Sequence, residues 1–378
     1  MQPPLTLSSF RNNWISSNCQ PIVIDRQSSK LLRDIFKLHK KGIDIKAIPD
    51  VEFKGEDGTD ASGPTREYFF LSMSLLATGD AAVHLFEGQT DHLMPIHCLE
   101  SLDSMLFYYA GVMISHSFLH NGYPLVGVSR AVAAYIITGS IDEAIPFIDI
   151  NDVPDYELRQ LLEKIRDANT EEEFNELNEN DTVIALLTAS GFVNKLISSS
   201  NKDMALEAAI LHYTLNIRKL EMDDIRRGME TISLVSFLNK NRELWHSVHV
   251  FPQTNQVDIS VETLESKLVL HSSVKLDEIN EREKQAFEWC KEYVRTLPER
   301  AEDEYSPTTG RFLQFVTGSP LCPTQPIYVK FNRVDKVLPD SDSCLGILSL
   351  HVNVVDFTEF KSKLDSTLSI QSTGYGRF

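Results

Sequence analysis

The sequence predicts an α+β fold in which a large, mostly helical unit is followed by a linker and a small mixed α/β unit. Three observations support this prediction. Apolar residues recur at helical spacing over most of the region before about residue 240. The pattern weakens between about 250 and 280, and the last hundred or so residues contain short strand-like runs between two helices. With 378 residues, the chain is long enough for two or three structural units and a substantial core.

The composition is that of an ordinary globular protein, with 42% hydrophobic and 24% charged residues. The formal net charge of −18 disfavours nucleic-acid binding, because an acidic chain repels phosphate backbones. The longest apolar stretch, near 105–114, is too short to span a bilayer, and the N-terminus lacks the apolar core of a signal peptide. We therefore expect a cytoplasmic or nuclear protein that binds neither nucleic acid nor membrane.

Predicted helices dominate the N-terminal two thirds of the chain. Residues 28–41 show helical spacing, and a short strand at Val51–Phe53 leads through a glycine- and acid-rich loop into a helix from about Pro64. The chain is so apolar from about 102 to 138 that its two helices, separated by an NGYP turn, should form the main core. Further helical stretches are predicted at 151–182, 202–220 and 221–240.

The C-terminal third predicts a linker followed by a small sheet and two helices. The linker is placed within about 268–278, and a helix is predicted at 281–296. The apolar runs FLQFVTG, IYVKFNRV and LGILSLHVNVV are predicted to be strands, and FTEFKSKLDSTLS is predicted to be the last helix.

Five scattered cysteines include one in a setting that suits a nucleophile. They are Cys19, Cys98, Cys290, Cys322 and Cys344. Their spacing predicts neither a disulfide framework nor a zinc site, which fits a reducing compartment. Cys344 follows the turn-forming stretch 339–343 and precedes an apolar run, so its thiol should lie in an exposed loop held by a strand.

The residues around Cys344 leave other interpretations open. A buried, structural cysteine is one alternative, and the acidic residues just before it oppose the formation of thiolate. A cysteine hydrolase is another, in which His249 or His351 would serve as the partner base.

Two further patterns suggest metal or phosphate sites but fit them poorly. The segment VEFKGEDGTDASGPTREYFF has neither the spacing of an EF-hand nor the Gly-Lys-Ser/Thr ending of a phosphate loop. A structural loop, whose acids bond loop N–H groups or Arg66, is the simpler interpretation. His116 and His120 are spaced i, i+4 without a third ligand, which indicates packed histidines. We therefore expect no metal and no cofactor.

Four segments, taken in order, resemble the HECT family of ubiquitin ligases. They are VEFKGEDGTDASGPTREYFF, FYYAGVMISHSFLHNGYPLVGVSRAVAAYI, RFLQFVTGSPLCP and LPDSDSC. In the first segment the residues that match the family signature are Phe53, Gly55, Glu56, Gly58, Asp60, Gly63, Arg66, Glu67 and Tyr68. The last segment carries Cys344 where the family has Thr-Cys. The resemblance extends from about residue 20 to 378.

The resemblance implies a bilobal fold and a two-step transfer. Residues 1–270 would form an N-lobe that docks a ubiquitin-conjugating enzyme, and 271–378 a C-lobe, with the linker as the hinge. Cys344 would accept ubiquitin as a thioester and pass it to a substrate lysine, and the hinge would let one thiol meet two partners. Ser343 and Tyr375, which keep a hydroxyl beside the cysteine and an aromatic ring near the C-terminus, are further candidate catalytic residues.

The chain also departs from the family pattern. Asp342 stands where the family usually has His, and the run LGILSLHVNVV lacks the family's Leu-Pro-x-Tyr segment. Ser62 replaces a glycine, and the docking stretch 165–200 resembles the family poorly. The pattern is similar to a divergent branch such as the G2/M phase-specific ligase group. The alternative function is a catalytically inactive HECT-like module that binds ubiquitin or a conjugating enzyme.

Overall fold

The computed structural model has three separate hydrophobic cores among the residues that it describes. It describes residues 6–55, 63–193, 195–245, 250–272, 274, 279–299, 306–332 and 338–371. The first core, which defines the main unit, runs from Phe10 to Phe251 and is interrupted by the second, which defines the small helical unit at 153–213. The third core begins at Ile259 and defines the C-terminal unit. Among the described residues, no helix has both the length and the apolar character needed to cross a membrane.

The first part of the main unit packs helices around a two-stranded parallel sheet. Its elements are α1 (Leu7–Trp14), β1 (Cys19–Ile24), α2 (Leu31–Lys40), β2 (Ile48–Phe53), α3 (Gly63–Thr78), β3 (Phe86–Glu87), β4 (Met94–Pro95), α4 (Leu99–Asp103), α5 (Leu106–Leu119), α6 (Arg130–Thr138) and α7 (Ile141–Ala144). Strands β1 and β2 pair in parallel, and β3 and β4 pair antiparallel. The strand predicted at Val51–Phe53 and the helix predicted from Pro64 are thereby confirmed.

The small helical unit follows two short 3-10 turns, Ile145–Phe147 and Ile150–Asp152. It contains α8 (Tyr156–Asp167), α9 (Glu171–Glu179), α10 (Asp181–Ala189) and α11 (Lys202–Thr214). The chain then returns to the main unit through a 3-10 turn at Asn216–Arg218. There it forms α12 (Lys219–Met229), a 3-10 turn at Glu230–Ile232, α13 (Leu234–Lys240), a 3-10 turn at Arg242–Leu244, and α14 (Thr254–Val257).

The C-terminal unit packs helices on a four-stranded mixed sheet. Its elements are α15 (Val261–Lys267), β5 (Leu268–Leu270), α16 (Glu281–Arg295), α17 (Thr309–Thr317), β6 (Ile327–Asn332), β7 (Asp340–Asp342), β8 (Ile347–His351) and α18 (Phe357–Gln371). The strand order is β5-β6-β8-β7, in which only the β7–β8 pair is antiparallel. The α+β architecture predicted from the sequence is confirmed.

The centre of the main unit is the crossing of α5 and α12. Eleven of the 14 residues of α5 are buried, as its apolar sequence predicted. The two helices meet at Gly111 and Gly228. A Cβ atom on Gly228 would overlap the carbonyl oxygen of Tyr108, and one on Gly111 would overlap that of Ile225. The crossing is therefore close enough that only glycine fits on either side.

The run FLQFVTG, predicted as a strand, forms part of helix α17, so that prediction is wrong. Thr308 caps the helix with its side chain, which accepts a hydrogen bond from the N–H of Arg311 at 3.1 Å. Gly318 ends the helix with a φ of 77°, the left-handed conformation favoured after the last helical residue. The apolar side chains of this run suit a strand as well as a helix, and the two caps decide between them.

Residues before and at the start of the predicted linker pack with the C-terminal unit, and 268–270 form strand β5, so that part of the linker prediction is wrong. Ile259, Leu264 and Leu268 belong to its core, and β5 is the edge strand of its sheet. The predicted lobe boundary at 270/271 remains a prediction, and this packing favours a boundary before Ile259. Residues 273 and 275–278 of the predicted linker lie outside the described residues.

A cluster of three histidines is packed between α2, α3 and α5. His39 Nδ1 donates to the carbonyl oxygen of Ile35 at 3.0 Å, and its Nε2 lies 3.3 Å from His116 Nδ1. The His116 and His120 rings stack edge-on at 5.3 Å, and both pack against Phe69. No trio of His, Cys, Asp or Glu in the described part of the chain is arranged to hold a metal ion. The interpretation of His116 and His120 as packed residues is confirmed.

This cluster should make the main unit lose stability in mild acid. Burial lowers the pKa of His39 to about 4 and that of His116 well below its usual 6.5. Below pH 6.5 the unfolded chain therefore binds protons that the folded chain excludes, and stability falls as the pH falls. His39 alone should cost on the order of 2 kcal/mol at about pH 5. Urea unfolding at neutral pH and in mild acid measures the loss, which should be smaller in His39→Gln; equal losses would contradict the prediction.

Candidate functional site

Cys344 lies at the tip of a β-hairpin. Strands β7 and β8 pair up to Asp342 opposite Ile347, so residues 343–346 form the loop between them. Gly346 closes this loop with a φ of 64°, which glycine adopts without strain. The thiol side chain is half-buried, and the neighbouring Leu345 is 61% exposed. Part of the predicted loop before the cysteine is thus the short strand β7, and the apolar run after it is β8.

Asp342 shapes the loop that holds the thiol. Its Oδ1 atom accepts hydrogen bonds from the backbone N–H groups of Cys344, at 3.1 Å, and Leu345, at 3.2 Å. An aspartate that bonds backbone N–H groups two and three residues later stabilises a tight turn without help from other elements. The carboxylate that stands in the family's His position is therefore turned towards the loop backbone.

The hairpin tip packs against the first turn of α3 in the main unit. A Cβ atom on Gly63 would lie 3.0 Å from the Cys344 Sγ and would overlap the Ser343 hydroxyl. A Cβ atom on Gly318, at the end of α17, would lie 2.8 Å from the carbonyl oxygen of Gly63. Two glycines thus allow the C-terminal unit to approach α3 closely, and the thiol lies beside the N-terminus of that helix.

Arg66 ties the cysteine loop to α3. Its Nε donates to the carbonyl oxygen of Thr317 at 2.5 Å, and its Nη2 donates to that of Ser343. Ser341 Oγ donates to the carbonyl oxygen of Phe315 at 2.7 Å, which fixes β7 on α17. One guanidinium group therefore holds both the end of α17 and the loop next to Cys344, using the forked donors that distinguish arginine from lysine.

The structure brings together two of the three predicted site residues. Ser343 and Cys344 are neighbours at the hairpin tip, and Tyr375 lies outside the described residues. His351 Nε2 donates to the carbonyl oxygen of Leu338 at the far end of β8. At about 3.3 Å per residue, β8 separates His351 from the cysteine loop by roughly 13 Å. His351 is therefore not a partner base for Cys344, and His249 lies outside the described residues.

Sequence reasoning did not assign Gly63 and Arg66 to the cysteine site. The bond between Arg66 and Ser343 spans 277 positions, and no local pattern predicts a contact at that separation. The one feature of the sequence that could have indicated a role is that both residues fall within the first family-like segment. The structure explains their presence there by their contacts with the cysteine loop.

The small helical unit presents apolar side chains to solvent. The Asn178 side chain binds both the N–H of Ile197, at 2.7 Å, and its carbonyl oxygen, at 2.9 Å, and so fixes the loop after α10. Leu196 in that loop is 72% exposed, an unusual position for leucine. Three more exposed apolar residues lie in the last two helices of this unit or in the loop between them: Ile184, Val193 and Met204.

The chain matches a known protein family. A family model described as HECT-domain (ubiquitin-transferase) matches residues 71–376, well over half of the chain. The chain therefore belongs to the HECT family, and the predicted resemblance is confirmed.

A curated relative is named as a ubiquitin ligase. The chain is 22% identical over 318 residues to the G2/M phase-specific E3 ubiquitin-protein ligase of Gallus gallus. The match covers 82% of this chain and 39% of the relative, so the chain spans well under half the length of that protein.

Proposed function

We propose that the chain is an active ubiquitin ligase in which Cys344 carries ubiquitin as a thioester. The observation that supports this most directly is the position of Cys344, at a hairpin tip held against α3 by Arg66. A thiol in this place is fixed by two structural units and remains partly accessible. Membership in a family described as ubiquitin transferases supports thioester chemistry at this thiol.

The transfer takes place in two steps. The Cys344 thiolate attacks the carbonyl carbon of the thioester that joins ubiquitin to a conjugating enzyme, and the conjugating enzyme's cysteine leaves as thiolate. A substrate lysine amine then attacks the new thioester, the carbon–sulfur bond breaks, and Cys344 leaves as thiolate while the amine gives up a proton. The single thioester exchange keeps the acyl group activated until lysine forms the isopeptide bond.

The small helical unit is the proposed docking site for the conjugating enzyme. Its exposed apolar residues, led by Leu196, are the kind of surface that a partner protein covers. The main and small helical units together then form the N-lobe, and the C-terminal unit is the C-lobe, with the boundary before Ile259.

Supporting roles are proposed for two residues near the thiol or the C-terminus. The Ser343 hydroxyl, against Gly63, would orient the loop and donate a hydrogen bond near the thioester. The ring of Tyr375 would pack near the thioester during transfer, as the family resemblance implies. We place this chemistry in the cytoplasm or nucleus, where thiols such as the five free cysteines of this chain stay reduced.

A second candidate function is a module that binds ubiquitin or a conjugating enzyme without catalysis. The observation that favours it is Asp342, whose carboxylate lies two residues from the thiol and bonds its N–H group. This anion stands where the family usually has His, so the loop lacks a possible cation beside the thiol.

The direct test is a ubiquitin-loading assay. Conjugating enzymes charged with ubiquitin are mixed with the chain and separated on a non-reducing gel. A product of the chain with one ubiquitin that disappears on addition of thiol supports the proposal. Ubiquitin binding without such a product, across a panel of conjugating enzymes, would favour the inactive module. Acylation of Cys344 without any conjugating enzyme would instead indicate a hydrolase.

Gly63→Ala should slow the transfer of ubiquitin from the conjugating enzyme to lysine. The new Cβ would overlap the Ser343 hydroxyl and press on the Cys344 thiol, so the hairpin tip could no longer sit against α3. An overlap worth about 1.4 kcal/mol corresponds to a roughly tenfold slower rate. Ser343→Ala removes the overlapping oxygen, so Gly63→Ala should slow transfer less in the Ser343→Ala background than in the natural chain. A faster transfer in Gly63→Ala would show that this docked arrangement is inhibitory.

A further inference from the structure

The small helical unit is connected to the main unit by two chain segments and has its own apolar core. The core of the main unit and that of the small helical unit are separate clusters among the described residues. The two cores do not merge, although Leu211 of α11 packs against the main one, so polar contacts at the connecting segments help to set the relative orientation of the units. Units joined in this way move relative to each other by default.

One segment of the main unit, residues 87–92, begins at the last residue of β3, leads towards β4 and contacts both connecting segments. We call it the neck loop. It is itself fixed to the main unit by Asp91, whose carboxylate accepts from the N–H of Thr254, at 2.7 Å, and from its hydroxyl, at 2.6 Å. Gly88 has a φ of 123°, and a Cβ atom there would overlap the carbonyl oxygen of His92, so the loop is tightly folded.

The first contact is with the segment that enters the small helical unit. His92 Nδ1 donates to Asp152 Oδ1 at 2.8 Å. Asp152 is 1% exposed, and its other oxygen accepts from the N–H of Asp149 at 2.9 Å. The buried carboxylate thus joins the neck loop to the 3-10 turn that precedes α8.

The second contact is with α8. With its amide oxygen turned towards Arg159, Gln89 accepts hydrogen bonds from all three guanidinium nitrogens at 2.6, 3.0 and 3.1 Å. Arg159 is 8% exposed and also donates to the carbonyl oxygens of Val153 and Pro154. The arginine therefore binds the neck loop and the entering segment at once.

The third contact is with the segment that leaves the small helical unit. Arg218 Nη2 lies 2.6 Å from Glu87 Oε1, and its Nη1 donates to the carbonyl oxygen of Tyr213. Arg218 is 5% exposed, so its charge is buried beside the carboxylate. The neck loop thus holds the entering segment, the first helix and the leaving segment.

We infer that Glu87, Gln89 and His92 are positioning residues that fix the small helical unit relative to Cys344. This inference rests on the proposed function, in which that unit carries the charged conjugating enzyme. Three short polar contacts from one anchored loop would hold the donor thioester in line with the thiol. Loosening them should reduce the rate of transfer while leaving the docking surface, and thus affinity for the conjugating enzyme, unchanged.

The test measures orientation and transfer separately. Spin labels are attached through non-natural residues at the exposed positions Glu52, in the main unit, and Glu172, in the small helical unit. In the triple variant Glu87→Gln, Gln89→Ala, His92→Ala, the distance distribution between labels should broaden. The rate of ubiquitin loading should fall at least tenfold, and the Kd for the conjugating enzyme should stay within about twofold.

Two controls separate positioning from general damage. Glu143→Gln removes an exposed ion pair with Arg242, 2.7 Å long, within the main unit and should change neither distance nor rate. In the triple variant, His92→Asn in place of His92→Ala provides an amide nitrogen that can replace Nδ1. This change should narrow the distance distribution and recover part of the rate. The single variant Glu87→Gln gives a milder version if the triple variant unfolds.

The outcomes distinguish this inference from the proposed function. An unchanged distance distribution in the triple variant, with normal loading, would overturn the inference and leave the proposed function intact. A broadened distribution with equal reductions in affinity for the conjugating enzyme and in loading rate would also overturn it. The loop would then support the docking surface itself. If neither the natural chain nor any variant loads ubiquitin, the proposed function fails, and with it the role in transfer.

Discussion

Cys344→Ala should abolish the thiol-sensitive ubiquitin adduct completely. The proposed mechanism has one covalent carrier, and alanine has no atom that can form a thioester. Cys344→Ser should trap ubiquitin as an oxyester that survives thiol reagents and is cleaved by alkali. The measurement is a non-reducing gel of the chain mixed with a charged conjugating enzyme. Since the side chain is only half-buried, both variants should unfold within a few degrees of the natural chain.

Cys322 provides the matched control for this prediction. It is an exposed free cysteine in the same unit, so a nonspecific exchange of ubiquitin onto accessible thiols would find it at least as readily as Cys344. Cys322→Ala should retain the adduct in full. An adduct that survives Cys344→Ala but is lost in Cys322→Ala would contradict the assignment. The same argument applies to Cys19, the exposed cysteine at the start of β1.

Much of the fold could be predicted because helical periodicity is a local signal. The boundaries of α2, α16 and α18 lie within a few residues of the predictions from spacing alone. The run in α17 is ambiguous from its sequence because clustered apolar residues suit either a strand or a helix, and the caps Thr308 and Gly318 favour the helix. Strand β5 was missed because three residues are too few to establish an alternating pattern.

The candidate site was only partly predictable, because its contacts are long-range. The residues around Cys344 favoured a structural cysteine, and only the resemblance of distant segments pointed to a function. The bond from Asp342 to the loop backbone is a contact between near neighbours in sequence. Aspartate commonly accepts from the N–H groups that follow it, so this contact is predictable from the local sequence. Contacts with Gly63 and Arg66 depend on how two units pack, and no pattern within either unit specifies them.

The neck loop shows the same limit. Glu87, Gln89 and His92 form an ordinary polar stretch in the sequence, without charge patterning or spacing that indicates a role. Their partners Asp152 and Arg218 lie 60 and 131 positions away. Buried charges that pair across such separations are visible only in the folded chain, and burial is what makes each pair sensitive to loss of one partner.

Gly228→Ala should destabilise the main unit by about 2–4 kcal/mol. In an exposed helix this change would stabilise, because alanine exceeds glycine in helix propensity by about 1 kcal/mol. Here the added Cβ would overlap the carbonyl oxygen of Tyr108, which belongs to the backbone of α5 and cannot rotate away. Relief requires α5 and α12 to separate, which breaks packing along the centre of the largest core. Gly111→Ala should have a similar effect, because it meets the carbonyl oxygen of Ile225.

Gly310→Ala is the matched control for the crossing. Gly310 also lies in a helix, α17, but a Cβ atom there would have only ordinary contacts, the nearest being 3.5 Å from Pro320 Cβ. This variant should be neutral or slightly more stable. Urea unfolding followed by circular dichroism compares the variants, and equal stability of Gly228→Ala and Gly310→Ala would contradict the prediction. Typical domains have a free energy of unfolding of about 5–15 kcal/mol. A loss of the expected size would therefore give Gly228→Ala a much larger unfolded fraction. Helix propensity and close packing thus act in opposite directions at position 228, and the backbone overlap is expected to outweigh propensity.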